Sequence, residues 1–311
     1  MERKYNEPFM NTIFSTLTTK VIPFVKKLIF PLLFFTNKNC DKKEKTVFHS
    51  TFILNTFVIF QIFFLLILPL TVLFLGIAQT EWTEVLRKAT DPIAVSAYQL
   101  TVQLALYAAL LNTFFGFIIT WVLTRYTFFG KKFLDAAVDL PFALPTSVAG
   151  LTLATVYGDQ GWIGSFYSPF GIQIVFTKSG VLLAMIFVSF PFVIRTLQPV
   201  LQEIEQSLEE AAWSLGASPW QTFRRVILPT LWPALFTGFT LSFSRALGEF
   251  GSIVMISSNL PFKDLVASVL IYQSLEQYDY LGASVIGAVV LLIAFTTLIV
   301  INAFQAMKYR V

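Results

Sequence analysis

Arg245 and Glu249 stand four residues apart inside an apolar run, where one helical turn would bring opposite charges together. A lone charge at the centre of a membrane helix costs about 2.5–3.5 kcal/mol on insertion scales, so Arg245 is expected to face a polar cavity or a partner. Two readings stay open: the pair lines a pathway or gate and rearranges as it switches sides, or the two charges neutralise each other and fix helix packing. Thr146 and Ser147 pose a similar choice. Pro141, Pro145 and Gly150 weaken the helix around them, so the hydroxyls or backbone amides face an anion, or the small residues pack at a proline kink. Asn112, Gln61 and Ser189 are isolated polar residues suited to hydrogen bonds between helices. Catalysis has no such candidates. Cys40 and His49 are the chain's single cysteine and histidine, which excludes an intrachain disulfide and argues against a protein-built metal centre. No nucleophile, base and orienting group cluster in the sequence, and no enzymatic role or cofactor is expected.

A second constellation suits docking rather than transport. Glu210-Ala211-Ala212-Trp213-Ser214-Leu215-Gly216, followed by Val226-Ile227-Leu228-Pro229, is a polar island between two apolar segments. Glu203 to Leu215 holds strong helix formers, Gly216 can end that helix, and Ser218-Pro219 supplies an N-cap with proline at the first helical position. The pattern predicts helix, turn, helix, with Leu228-Pro229 breaking the second helix at the membrane boundary. Ala211 and Ala212 leave little bulk in the way of a partner, and Glu209, Glu210, Arg224 and Arg225 keep the unit soluble.

These residues need a membrane scaffold. The 311 residues are 56% hydrophobic, 16% aromatic and only 13% charged, with a mean hydropathy of +0.71, too apolar for a solvated surface. A spanning helix takes roughly 20 apolar residues. Six windows approach that length: Ile53 to Leu75, Leu100 to Leu123, Leu140 to Tyr157, Gly180 to Leu197, Leu231 to Ser257, and Ala283 to Ala303. The expected fold is therefore an all-α polytopic membrane helix bundle with about six transmembrane helices. Prolines 141, 145 and 191 shorten or interrupt the third and fourth windows.

Lysine and arginine set the orientation. They gather before the first window, after the second at Arg125, Lys131 and Lys132, after the fourth at Arg195, Arg224 and Arg225, and after the sixth at Lys308 and Arg310. The other side keeps Arg87, Lys88, Lys178 and Lys263. Both termini and the Glu210 loop are thus expected on the cytoplasmic or stromal side. The basic residues lie at span ends without an aromatic-interleaved face, so the net charge of +4 reflects topology and lipid contact rather than nucleic acid. Residues 1–49 form a basic N-terminal tail, interfacial or disordered, whose apolar patch lacks a signal-peptide cleavage site and is expected to be retained. Residues 50–311 carry the transmembrane domain, with the docking loop at about 199–229.

The order Glu-Ala-Ala, three residues, Gly, nine residues, an Ile-like position filled by Val226, one residue, Leu228-Pro229 resembles the signature loop of ATP-binding-cassette importer permeases. In that family the loop forms a coupling helix that fits a groove on an ATPase subunit. The resemblance assigns this role to Glu210, Ala211, Ala212, Gly216, Val226, Leu228 and Pro229. The chain has no phosphate-binding loop of its own, since Gly130-Lys131 has Arg125 where the first glycine should stand. The resemblance therefore implies separate ATP-binding subunits, a second permease and a substrate-binding receptor protein.

Two further segments narrow the resemblance. Leu140-Pro141-Phe142-Ala143-Leu144-Pro145-Thr146-Ser147-Val148-Ala149-Gly150-Leu151 and Arg245-Ala246-Leu247-Gly248-Glu249-Phe250-Gly251 are similar to sulfate/thiosulfate permeases. The first segment is closer to the T-type subunit than to its W-type companion, which implies a heterodimer. Molybdate permeases share the second segment, so a molybdate or related oxyanion permease is the alternative. A gradient-driven channel or secondary transporter is the alternative of another class, and a membrane scaffold without a pathway is a third. Thirty-four phenylalanines and Lys- and Asn-bearing segments suggest an AT-rich genome such as a plastid's, which favours a chloroplast inner envelope over a bacterial plasma membrane.

Overall fold

The computed structural model describes residues 56–308, with side chains to residue 303. The expectations for residues 1–49, Cys40 and His49 included, lie outside the described residues. The described chain is helical throughout, without strands. It divides into two compact units, Met1–Leu86 and Arg87–Val311.

Within the first unit, α1 (Thr56–Ala78) is long and apolar enough to cross a membrane. Its Phe63–Ile67 stretch is a π-helix immediately before Leu68-Pro69. Helix α2 (Trp82–Ala89) follows across the boundary between the units.

In the second unit, Asp91 caps α3 (Pro92–Arg125) by accepting a 2.8 Å hydrogen bond from the Ile93 N–H, with Pro92 at the first turn, as a helix start prefers. Then come α4 (Lys131–Val138), α5 (Leu140–Ala143), α6 (Thr146–Tyr157), α7 (Lys178–Glu203), α8 (Gln206–Ser214), α9 (Pro219–Leu247), α10 (Gly251–Ile256), α11 (Ala267–Glu276) and α12 (Tyr280–Lys308). Helices α3, α7 and α9 pack together as the centre of the unit. Small residues allow the approach: Ala105, Ala108 and Ala109 are buried, and Gly116 and Gly238 both lie against Val193. Asn112 joins the three helices, its amide donating to Ser189 Oγ at 2.8 Å and Ser242 Oγ at 3.1 Å. The expected interhelical role of Asn112 and Ser189 is the one observed.

Five helices have the length and composition of spans: α1, α3, α7, α9 and α12 over Tyr280–Ala303. This is roughly the number expected, and the window Leu140 to Tyr157 is the one that falls short of that length. The chain leaves helical geometry at Leu144-Pro145, so α6 keeps only 12 residues, about 18 Å of rise against a hydrocarbon core of about 30 Å. The window Leu231 to Ser257 is also divided, because α9 ends at Leu247 and α10 begins at Gly251. Conversely, α7 runs 26 residues straight through Pro191 and Pro199, longer than expected.

Leu228-Pro229 does not break its helix. Residues Phe223–Ile227 form a π-helix in which the Leu228 N–H reaches Phe223 O, and α-helical geometry resumes through Pro229. The wider turn accommodates a proline that has no N–H and whose ring would strike a preceding carbonyl. The same device precedes Leu68-Pro69 in α1.

Candidate functional site

The Glu210 loop folds as helix, turn, helix, with α8 starting at Gln206 rather than Glu203. Its turn is built by hydrogen bonds from Gly216 N to Trp213 O at 2.9 Å and from Ala217 N to Ala212 O at 3.0 Å. This paired 5→2 and 6→1 pattern needs a left-handed residue, and Gly216 has φ +81°. Ser218 then starts α9 with a capping box: Gln221 N donates to Ser218 Oγ at 3.3 Å and Ser218 N donates to Gln221 Oε1 at 2.8 Å. Glu210, Ala211, Gly216 and Pro229 are exposed, while Ala212, Val226 and Leu228 are half-buried. Leu215, at the turn, is 89% exposed, and Leu208 and Trp213 are half exposed beside the small alanines.

Behind this surface the loop rests on α3. Arg125 Nη2 and Glu209 Oε1 form an ion pair of 2.5 Å, and the Arg125 guanidinium lies 5.5 Å from the centre of the Trp121 ring. Phe223 packs edge-on against Trp121 at 5.7 Å and stacks with Trp220 at 5.5 Å. Sequence reasoning took Arg125 only as a topological charge, and nothing near it in the chain names Glu209.

Arg195 is another charge that sequence reasoning underread. Its Nε and Nη2 grip the two Asp139 carboxylate oxygens at 2.8 and 2.7 Å, and Nη1 meets Asp135 Oδ1 at 2.9 Å and Gln198 Oε1 at 2.6 Å. The network fastens α4 and the α4–α5 junction to α7. Burial by itself would raise the Asp135 carboxyl, but hydrogen bonds from Arg195 and Gln198, with the charges of Arg195 and Lys131, outweigh it and hold the group below the ordinary carboxylate value.

The transport candidates meet elsewhere. Arg245, on the last turn of α9, donates from Nη1 to Glu249 Oε2 at 2.6 Å. The other oxygen, Oε1, accepts from Ser252 N at 2.9 Å and Ser252 Oγ at 2.8 Å, so Glu249 spans the break between α9 and α10. Ser268 Oγ on α11 donates to the Glu249 carbonyl at 2.7 Å. Glu249 is 2% exposed, whereas the Arg245 side chain keeps 31% of its surface accessible. Thus the acid is sealed and the base is not.

Helix α6 lies against α10. A Cβ built on Gly251 would stand 2.2 Å from Thr146 Oγ1, so Thr146 borders the start of α10, two residues beyond Glu249. Thr146 is half-buried and Ser147 exposed. The Leu140 to Leu151 and Arg245 to Gly251 segments, about a hundred residues apart in sequence, are therefore neighbours. They meet where Thr146 and the Ser147 N–H border Gly251.

Comparisons with known proteins agree with this architecture. The profile described as "Binding-protein-dependent transport system inner membrane component" matches residues 112–309. The chain is 87% identical over 235 residues to the "Probable sulfate transport system permease protein cysT" of Chlorella vulgaris, covering 76% of this chain and 88% of that protein. The protein of the same name in Prototheca wickerhamii is 70% identical over 250 residues, covering 80% and 98%. Among solved structures, a bacterial ABC transporter that imports the acidic polysaccharide alginate has a chain with TM-score 0.71 at 17% identity, covering 86% of this chain and 99% of that one. A multi-pass helical bundle with these relatives belongs to the family of binding-protein-dependent transport system inner membrane components, the permeases of ABC transporters.

Proposed function

We propose that the chain carries sulfate or thiosulfate through a membrane as one permease of an ABC importer. The names of its algal relatives support the oxyanion, and the meeting of the Thr146 and Arg245 segments supports an anion route. The observation that carries the reading is the exposed Glu210 loop, a rigidly capped helix pair with small residues and Leu215 presented outward. Glu210, Ala211, Ala212 and Gly216 meet the ATPase subunit, which hydrolyses ATP, and Val226, Leu228 and Pro229 connect that contact to α9. Arg245, Thr146 and Ser147 border the pathway, and Glu249 holds Arg245 in place. Selectivity belongs chiefly to a receptor protein, because a permanent tight sulfate site in the permease would oppose release. A W-type permease completes a heterodimer. The algal relatives and the phenylalanine-rich composition support the chloroplast inner envelope.

The test is uptake of labelled sulfate by the reconstituted complex, with thiosulfate and molybdate as competitors. ATP-dependent uptake competed by thiosulfate is the expected result. Preferential competition by molybdate would transfer the assignment to that oxyanion, and uptake by the purified chain without an ATPase would replace it with a gradient-driven carrier.

A further inference from the structure

We infer that the docking loop and α3 move as one rigid body, with Arg125, Trp121 and Phe117 as the positioning residues that join them. The inference rests on the reading of the loop as the ATPase contact. Phe117, Trp121 and Arg125 are spaced four apart, so they form one stripe along the last turns of α3. That stripe grips both helices of the loop. Arg125 holds Glu209 of α8, while Trp121 and Phe117 hold Phe223 of α9 at 5.7 and 6.1 Å. Glu209 and Glu210, adjacent in sequence, therefore divide their work, one turned to α3 and the other exposed.

The ion pair has properties that exposed pairs lack. The Arg125 and Glu209 side chains retain only 18% and 16% of their accessible surface, so salt screens them less than a surface pair. Arg125 is also held over the Trp121 ring, which limits the rotamer freedom its long side chain would otherwise lose on pairing. The covalent path into the loop from α7 leaves helical geometry at Ile204 and Glu205, so the side-chain stripe is a second connection beside it. A push on the docking surface thus reaches α3 through the side-chain stripe as directly as it reaches α9 through the backbone. Because α3 carries Asn112 and Gly116 into the packed centre of the unit, a displacement there shifts α7 and α9 with it.

The experiment uses the complete reconstituted transporter with Cys40→Ser as background and spin labels at Tyr126 and Gln206, both exposed and flanking the stripe. The label-to-label distance is measured without nucleotide and with a non-hydrolysed ATP analogue. Rigid linkage keeps the change below about 2 Å, whereas a slide of about 5 Å, one helical turn, overturns the inference. In parallel, R125E and E209R each lower uptake per ATP hydrolysed by about fivefold or more, and R125E/E209R recovers most of the loss. Unchanged coupling in assembled single variants would also overturn it. If a reversal prevents assembly, the distance measurement on native charges decides alone. A complex that hydrolyses ATP without moving sulfate would speak against the substrate and leave the distance result intact.

Discussion

Gly150 and Ser252 touch backbone to backbone: a Cβ built on Gly150 would stand 2.3 Å from the Ser252 carbonyl oxygen and 2.6 Å from its Cα. Neither group can rotate away, so G150A must push α6 from α10. The expected loss is about 1–3 kcal/mol, the range for an extra methyl in a packed interior. Gly116 provides the contrast, because its built Cβ meets only side-chain atoms, Val193 Cγ1 at 2.9 Å and Cβ at 3.1 Å, and no backbone. Thermal unfolding of the detergent-solubilised complex should therefore place G150A below G116A, and the reverse order would remove backbone contact as the cause.

Arg245→Gln keeps a donor for Glu249 and removes the accessible charge, so it should assemble but transport poorly. Arg245→Leu removes the donor as well and strands a carboxylate that is 2% exposed. Only the Ser252 donors on Oε1 then remain to a buried carboxylate, and accumulation of the complex should fall. Immunoblots of membranes together with sulfate uptake separate the two effects. Full uptake by R245Q would assign the pair to packing alone.

At Gly216 the cost of substitution is conformational, since no atom lies within 4 Å of a built Cβ while φ is +81°. A side chain in that region costs about 1–2 kcal/mol, with asparagine better tolerated than a β-branched residue. G216V should reduce uptake per ATP more than G216N. Equal, normal coupling in both variants would show that the turn geometry is irrelevant to docking.

The Asp135 carboxyl lies below its ordinary value of 3.8 in the folded chain. A depressed folded pKa contributes stability that is complete above the unfolded value and disappears as pH falls through the folded one. The difference in melting temperature between the native chain and D135N should therefore stay constant from pH 7 to about pH 5 and close below about pH 4. A difference that changes mainly near neutral pH would implicate another group.

The helix-turn-helix of the Glu210 loop was legible because its signals are local. Gly216 ends α8, Ser218 and Gln221 cap α9, and each interaction spans a few residues. The break at Leu144-Pro145 could be read from proline in the same way. The break at Gly248 was less visible, because the apolar run continues across it and the feature that fills the gap is the Glu249 carboxylate bonded to Ser252. Leu228-Pro229 misled for the opposite reason: proline forbids a regular α-turn, but a π-turn upstream removes the conflict.

Composition alone determined that this is a helical membrane protein, because transfer into lipid is nearly a sum over residues. Tertiary structure decided what the charges do. Arg125 and Arg195 share the sequence signature of residues that orient a span, yet one holds Glu209 and the other holds Asp135 and Asp139. Ion pairs, and the contact of Gly150 with Ser252, depend on distances of a few ångströms between segments far apart in the chain, and only packing α3, α7 and α9 together and laying α6 on α10 sets those distances.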